Sequence, residues 1–173
     1  MNTELFNYNL NKGKIGEDIV RAYLEQQGYV VYTPDTIGSH MFDIMAIKNK
    51  SEIIIADVKT KPKRKNYNDT GIDVHFYNDY KKASEKMNVP FYVFFVDYVT
   101  GKIYKADIID LDKKNEWIEN IQYPSRYKGI IYYHLNQLEI IGELSKEDVN
   151  KLKELDNQKP IENEYDDLME GIL

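Results

Sequence analysis

Residues 41–60 read MFDIMAIKNKSEIIIADVKT, and this stretch decides the fold. Two apolar runs, Met41 to Lys48 and Glu52 to Lys59, flank Asn49, Lys50 and Ser51, the composition of an antiparallel hairpin. Both runs are apolar on both faces (Phe42, Ile44 and Ala46 against Met45 and Ile47; Ile53 and Ile55 against Ile54 and Ala56). That suits central strands covered by helices better than a half-solvated sheet. Loop length sets the register. A three-residue loop pairs Lys48 with Glu52 and brings Asp43 opposite Asp57; a loop of two or four residues sends the two Asp to opposite faces, barring a bulge. A cross-strand Lys48/Glu52 ion pair favours the first arrangement.

Asp43 lies in an otherwise apolar run, where an unpaired carboxylate costs several kcal/mol unless something compensates it. Asp57 and Lys59 are two apart, so their side chains share a face of the next strand. Two carboxylates from adjacent strands with a Lys beside them are a donor set for Mg²⁺ and a phosphate. An acid two before a Lys also occurs at Asp79/Lys81 and Asp112/Lys114. Only Asp57/Lys59 follows an apolar strand that pairs with another Asp-bearing strand. The plain alternative is a buried ion pair plus a strand-end carboxylate; buried pairs are poor sources of stability, so the chemical reading is preferred.

Working outward, Ile15, Ile19, Val20, Tyr23 and Leu24 recur at helical spacing between Gly13 and Gly28, with Asp18, Arg21 and Glu25 opposite. Tyr29 to Thr33 is a strand. Beyond a polar, basic loop running through Gly71, Tyr77, Tyr80, Ser84 and Met87 mark one face of a second helix, and Lys81, Lys82, Glu85 and Lys86 the other. Phe91 to Asp97 is a buried strand, turned at Thr100 and Gly101 into Lys102 to Asp107. Gly129 to Leu135 is one more strand, and Ser145 with Asp148 resembles a capping pair opening a terminal helix. The expected class is α/β, a central mixed sheet flanked by helices in the order αβββαβ with a C-terminal extension. Residues 1–142 form the expected domain and 143–173 an acidic helix and tail.

The 173 residues suit one domain. The absence of Cys removes disulfides, Cys-ligated metals and thiol nucleophiles. No apolar run approaches the roughly 20 residues of a membrane-spanning helix, and the first residues lack a secretory pattern, so a cytoplasmic protein without a membrane partner is expected. The net charge of −6 argues against indiscriminate nucleic-acid binding, but it resides entirely in residues 143–173, where ten acids face four Lys. Within the neutral remainder, Lys59, Lys61, Lys63, Arg64 and Lys65 crowd seven positions.

The elements opened by Gly13-Lys-Ile-Gly-Glu17, Asp43-Ile44 in the second strand and Asp57-Val-Lys-Thr60 ending the third resemble the PD-(D/E)XK nuclease superfamily, whose fold is restriction-endonuclease-like, and within it the Holliday-junction-resolvase-like branch. The resemblance covers about residues 10–97. It implies a metal-dependent endonuclease acting on DNA, with Asp43, Asp57 and the Val58 carbonyl as ligands of Mg²⁺, for which Mn²⁺ can substitute. It further implies that Lys59 orients or deprotonates the attacking water and that Glu17 contacts the metal directly or through water. Branched recombination or repair intermediates and a homodimer follow from the same likeness. Phe42 stands where the family often has Pro, and Asp57 where it more often has Glu. The second helix offers Asn78, Lys81 and Lys82 in place of the Gln of some branches. Two other functions share these motifs: an RNA-processing nuclease, and a non-catalytic nucleic-acid or protein interaction module.

Lys61, Lys63, Arg64 and Lys65, with Lys81 and Lys82, form the expected phosphate-contacting surface; the plain reading is a solvated loop. Tyr67, Tyr77 and Tyr80 could stack on bases, though helical spacing assigns the last two to the core. Glu17, at the edge of the apolar stripe, reads nearly as well as a solvated first-turn acid. Gly13 and Gly16 are close-packing positions or phosphate approaches. His40, His75 and His134 lack paired metal-ligand spacing. The acidic tail is a solubilising end or a cover for the basic patch. The Asn, Lys and Ile richness fits a low-GC bacterium or its phage.

Overall fold

Residues Ile44–Lys48 (β2) pair antiparallel with Glu52–Thr60 (β3), from Lys48↔Glu52 to Ile44↔Ala56. This is the register of the three-residue loop, in which Asn49 and Lys50 take positive φ, 53° and 63°. The computed structural model describes residues 3–34, 40–114, 118–119 and 129–160. Val30–Tyr32 (β1) extends the sheet beyond β2. On the other side lie Phe91–Asp97 (β5), parallel to β3, then Lys102–Asp107 (β6) and Glu139–Glu143 (β9), both antiparallel to their neighbours. The sheet order is β1-β2-β3-β5-β6-β9.

The β3-to-β5 crossover carries Asp69–Asp73 (β4) and the helix Val74–Met87 (α2). β4 belongs to a second sheet, β4-β8-β7, formed with Ile130–His134 (β8) and Ile118–Glu119 (β7). The basic loop therefore does not run on through Gly71. A Cβ at Gly71 would sit 2.6 Å from Ile130 Cγ2 and 3.0 Å from the Ile131 carbonyl, so only glycine lets β4 and β8 approach this closely.

Helix α1 spans Thr3–Gln26, starting ten residues before the expected Gly13. Its buried residues Tyr8, Gly16, Val20 and Leu24 form one stripe, and Lys12 explains the extension. Lys12 Nζ lies 2.7 Å from Asp156 Oδ1 and 2.7 Å from the Tyr98 hydroxyl, tying the early turns to the helix Lys146–Asn157 (α4). The far end of α1 is closed by Gly28 at φ 86°, with Tyr29 N–H donating to Leu24 O and Gly28 N–H to Glu25 O.

Two apolar layers fill the faces of β3. Val20, Leu24, Ile44, Ala46, Ile54, Ala56, Val58 and Leu152 pack under α1 and α4. Ile55, Tyr77, Tyr80, Phe91, Val93 and Phe95 pack under α2, the helix Ile108–Lys114 (α3) and the second sheet. The expected inward Met87 is exposed, because Ala83 and Ser84 complete the α2 stripe. Ser145 caps α4 by accepting the Asp148 N–H at 3.0 Å. Helix α3 and β9 were not anticipated by the sequence reading, and residues 161–173, the greater part of the acidic tail, lie outside the described residues.

Candidate active site

The β2/β3 ladder stops at Ile44/Ala56, one pair short of the two aspartates. There the chain bends, and the Asp43 N–H donates to the Ala56 carbonyl at 2.9 Å, although Ala56 is already the partner of Ile44. This break puts Asp43 just before β2 rather than within it, and turns Phe42 to the α2 layer, away from Ile44 and Ala46. The Asp43 carboxylate then reaches across to accept the Val58 N–H at 2.8 Å. The expected Lys48/Glu52 pair is mediated by Tyr29 instead: its hydroxyl donates to Glu52, and Lys48 Nζ lies 5.3 Å from its ring centre.

Asp57 is buried, and its Oδ2 lies 2.9 Å from Lys59 Nζ. The distance makes an ion pair but the angles do not make a hydrogen bond, so this buried oxygen has no hydrogen-bond donor. Asp43 is pushed up to about 7, first by burial and next by the Asp57 carboxylate, against the opposing pull of the Val58 N–H. Glu17, on α1, is near enough to feel the Asp57 charge but does not join the two aspartates as a third ligand. A Cβ on Gly16 would lie 1.8 Å from Thr60 Oγ1, so the missing side chain lets α1 touch the end of β3; this is the close-packing role. A Cβ on Gly13 would meet nothing nearer than Glu17 Oε1 at 3.8 Å. Burial raises Glu17 above the usual carboxylate range, with Asp18 and Asp57 adding to the rise and Lys14 opposing it.

An aromatic floor that the sequence pattern alone does not reveal lies beneath the site. Lys59 Nζ sits 4.6 Å from the Phe76 ring centre and 5.6 Å from that of Tyr80. Burial, followed by the nearby Asp57 charge, holds the Tyr80 phenol far above its usual range. Phe76, Tyr80 and Phe91 continue as a stack, with the Tyr80 and Phe91 centroids 4.5 Å apart. The signal was present in the spacing of Phe76 and Tyr80, one helical turn apart on α2, but only the tertiary packing brings that turn beneath Lys59.

Two crowded carboxylates, one with a buried oxygen lacking a donor, are suited to a divalent cation. Among the described residues no three His, Cys, Asp or Glu side chains close a cage. An open, oxygen-only set of one or two carboxylates matches the habit of Mg²⁺, which keeps several of its waters.

No protein-family model and no curated protein matches the chain. Solved structures do. Hjc, a Holliday junction resolvase from the archaeal hyperthermophile Archaeoglobus fulgidus, is 11% identical over 75% of this chain and 92% of that chain, with a TM-score of 0.53. D212, a nuclease from a fusselovirus, is 11% identical over 87% of this chain and 94% of that one, with a TM-score of 0.51. The fold is restriction-endonuclease-like.

Within this restriction-endonuclease-like frame the basic residues divide. Lys61, on the same face of the strand as Asp57 and Lys59, turns inward to donate to the Gly71 carbonyl of β4. Burial first, then the Lys59 charge, pushes it down to about 8, opposed by Asp73 and Asp57. Arg64 is also engaged, forked onto Asp69 at 2.7 and 2.5 Å. Lys65 and Lys82 are exposed; Lys82 lies 3.9 Å from Asp79 and Lys63 donates to the Tyr67 carbonyl at 3.4 Å. Lys81 is half-buried on α2. Of the histidines, His134 accepts the Asn136 N–H and His75 lies against Phe76. No helix among the described residues is long and apolar enough to cross a membrane.

Proposed function

We propose that the chain is a Mg²⁺-dependent endonuclease that hydrolyses DNA phosphodiester bonds. The observation that carries this reading is the convergence of Asp43, Asp57 and Lys59 where β2 and β3 part, with Asp43 locked to the Val58 N–H. Asp43, Asp57 and the Val58 carbonyl would hold the cation, with Glu17 taking part through water. When bound, Mg²⁺ supplies charge to the phosphate and acidifies a coordinated water. Lys59, steadied by Asp57 and the Phe76 and Tyr80 rings, presents its ammonium to a phosphoryl oxygen whose negative charge grows during in-line attack. The bond from water oxygen to phosphorus forms as one ester bond breaks, leaving a phosphate and a hydroxyl end.

A branched recombination or repair intermediate is the proposed substrate, and symmetric cutting of such a molecule calls for two copies of the chain. The testing experiment offers labelled four-way junction, linear duplex and single strands of DNA and RNA with Mg²⁺, Mn²⁺ or EDTA. Wild type is compared with Asp57→Ala and Lys59→Ala. Metal-dependent cutting lost in both variants supports the reading, and preference among substrates names the target. Folded protein that binds DNA in a salt-sensitive way yet cuts nothing with any metal would replace it with an interaction module.

A further inference from the structure

The loop between β3 and β4 is built around an aromatic ring. Tyr67 is 58% exposed, yet its position is fixed. The Arg64 guanidinium lies 4.2 Å from the Tyr67 ring centre and 3.6 Å from that of Tyr132 on β8. Its fork is held by Asp69, and the Arg64 N–H donates to the Asp69 carbonyl at 3.2 Å. The Tyr67 N–H donates to Arg64 O, its carbonyl accepts from Lys63 Nζ, and Asn68 O accepts the Leu135 N–H at 2.9 Å. Arg64, which composition marks as a phosphate contact, is thus occupied in holding a tyrosine that faces solvent.

We infer that Tyr67 is a stacking platform for an unpaired nucleobase, with Lys63 and Lys65 beside it receiving the adjoining phosphates. The inference deepens the nuclease reading and rests on it, because this loop leaves β3 only a few residues beyond Asp57 and Lys59. A π-face flanked by cations matches the chemistry of a single-stranded nucleotide, whose base is free to stack. A continuous duplex keeps its bases within the helix and offers only phosphates. The loop therefore favours substrates containing unpaired nucleotides near the cut, such as flaps, junction cores and single strands. Arg64 acts as a positioning residue, since Lys cannot reproduce both the fork on Asp69 and the stack between two rings.

The test measures binding of the full chain to a fluorescent single strand, a flap and a blunt duplex in EDTA, so that affinity is read without cleavage. Tyr67→Ala is expected to weaken single-strand and flap binding by about tenfold while duplex binding stays within about twofold. Tyr67→Phe retains the wild-type pattern, because the ring and not the hydroxyl stacks. Arg64→Ala reproduces Tyr67→Ala with an unchanged salt slope, whereas loss of a phosphate contact would lower that slope by about one. Equal weakening on duplex and single strand, or no effect of Tyr67→Ala on either, overturns the inference. So does absence of nucleic-acid binding altogether. The two readings fail separately: Tyr67-dependent single-strand binding without metal-dependent cleavage sinks the nuclease alone, and cleavage indifferent to Tyr67 sinks the platform alone.

Discussion

The Asp43 carboxylate accepts the Val58 backbone N–H at 2.8 Å, across the point where the β2/β3 ladder ends. One hydrogen bond fixes an acid from one strand against the segment Asp57-Val58-Lys59 of the next. It also holds Asp43 close enough to Asp57 that the Asp57 charge adds to burial in disfavouring the ionised Asp43.

Burial first, and the Asp57 charge second, set a pH dependence. Asp43 titrates near 7 in the folded, metal-free protein but near its ordinary 3.8 when unfolded. The native state therefore binds more protons between these values, and stability falls as pH rises through that window. Thermal unfolding in EDTA is expected to show a lower Tm at pH 8 than at pH 5, by on the order of 5 °C. Asp43→Asn should flatten the profile, and Mg²⁺ should raise Tm at pH 8 in wild type only. A flat wild-type profile would mean that the folded protein does not raise Asp43 above its unfolded value.

Removing the Lys59 ammonium should cost about 10²–10⁴-fold in cleavage rate, the usual weight of a group acting on the reacting centre. Phe76→Ala, which takes away the ring 4.6 Å from Nζ, should lower kcat by about tenfold with little change in KM, because its effect is on positioning. Single-turnover kinetics separates the two, and a change confined to KM would assign Phe76 to substrate binding instead.

Gly16→Ala would place a methyl 1.8 Å from Thr60 Oγ1 and 3.0 Å from Thr60 Cβ. Overpacking of this kind costs about 1–3 kcal/mol, here by lifting α1 and with it Glu17 from β3. Thr60→Ala removes the nearer clash but not the Cβ contact, so the double variant should recover part of the stability in urea unfolding. Complete additivity of the two changes would show that the helix and strand do not meet there.

Lys12 is enclosed in the α1–α4 contact, with a side-chain exposure of 12%. Asp156→Ala leaves that ammonium with only the Tyr8 and Tyr98 hydroxyls, at 3.1 and 2.7 Å, and is expected to destabilise the protein by about 1–3 kcal/mol. Hydrogen exchange should show the loss first in α4. Asp156 is held below its ordinary value despite burial, by Lys12 and the hydroxyls. Its contribution is therefore present above the unfolded pKa of 3.8 and fades as pH falls through the lower, folded value.

The hairpin was legible because its information is local. Strand alternation has a period of two, and the length of the Asn49–Ser51 loop sets the parity, so Lys48↔Glu52 and the common face of Asp57 and Lys59 follow from counting. The stripe of Val20 and Leu24, the Gly28 stop and the Ser145 cap are local in the same sense. What counting could not reach was the break at Asp43, since a bend that gives Ala56 two partners is chosen by the packing of Phe42 under α2. Nor could it reach β4, whose Asp-Thr-Gly-Ile-Asp composition reads as a turn until β8, some sixty residues later, supplies its partner. Charge misled most. Lys61 and Arg64 look like free cations in a polar run, but the second sheet offers them the Gly71 carbonyl and the Asp69 carboxylate. Which residues share a strand face follows from local alternation along the chain; which of those side chains meet one another and which face solvent depends on partners distant in the chain, so it is settled only by the packing of the folded molecule.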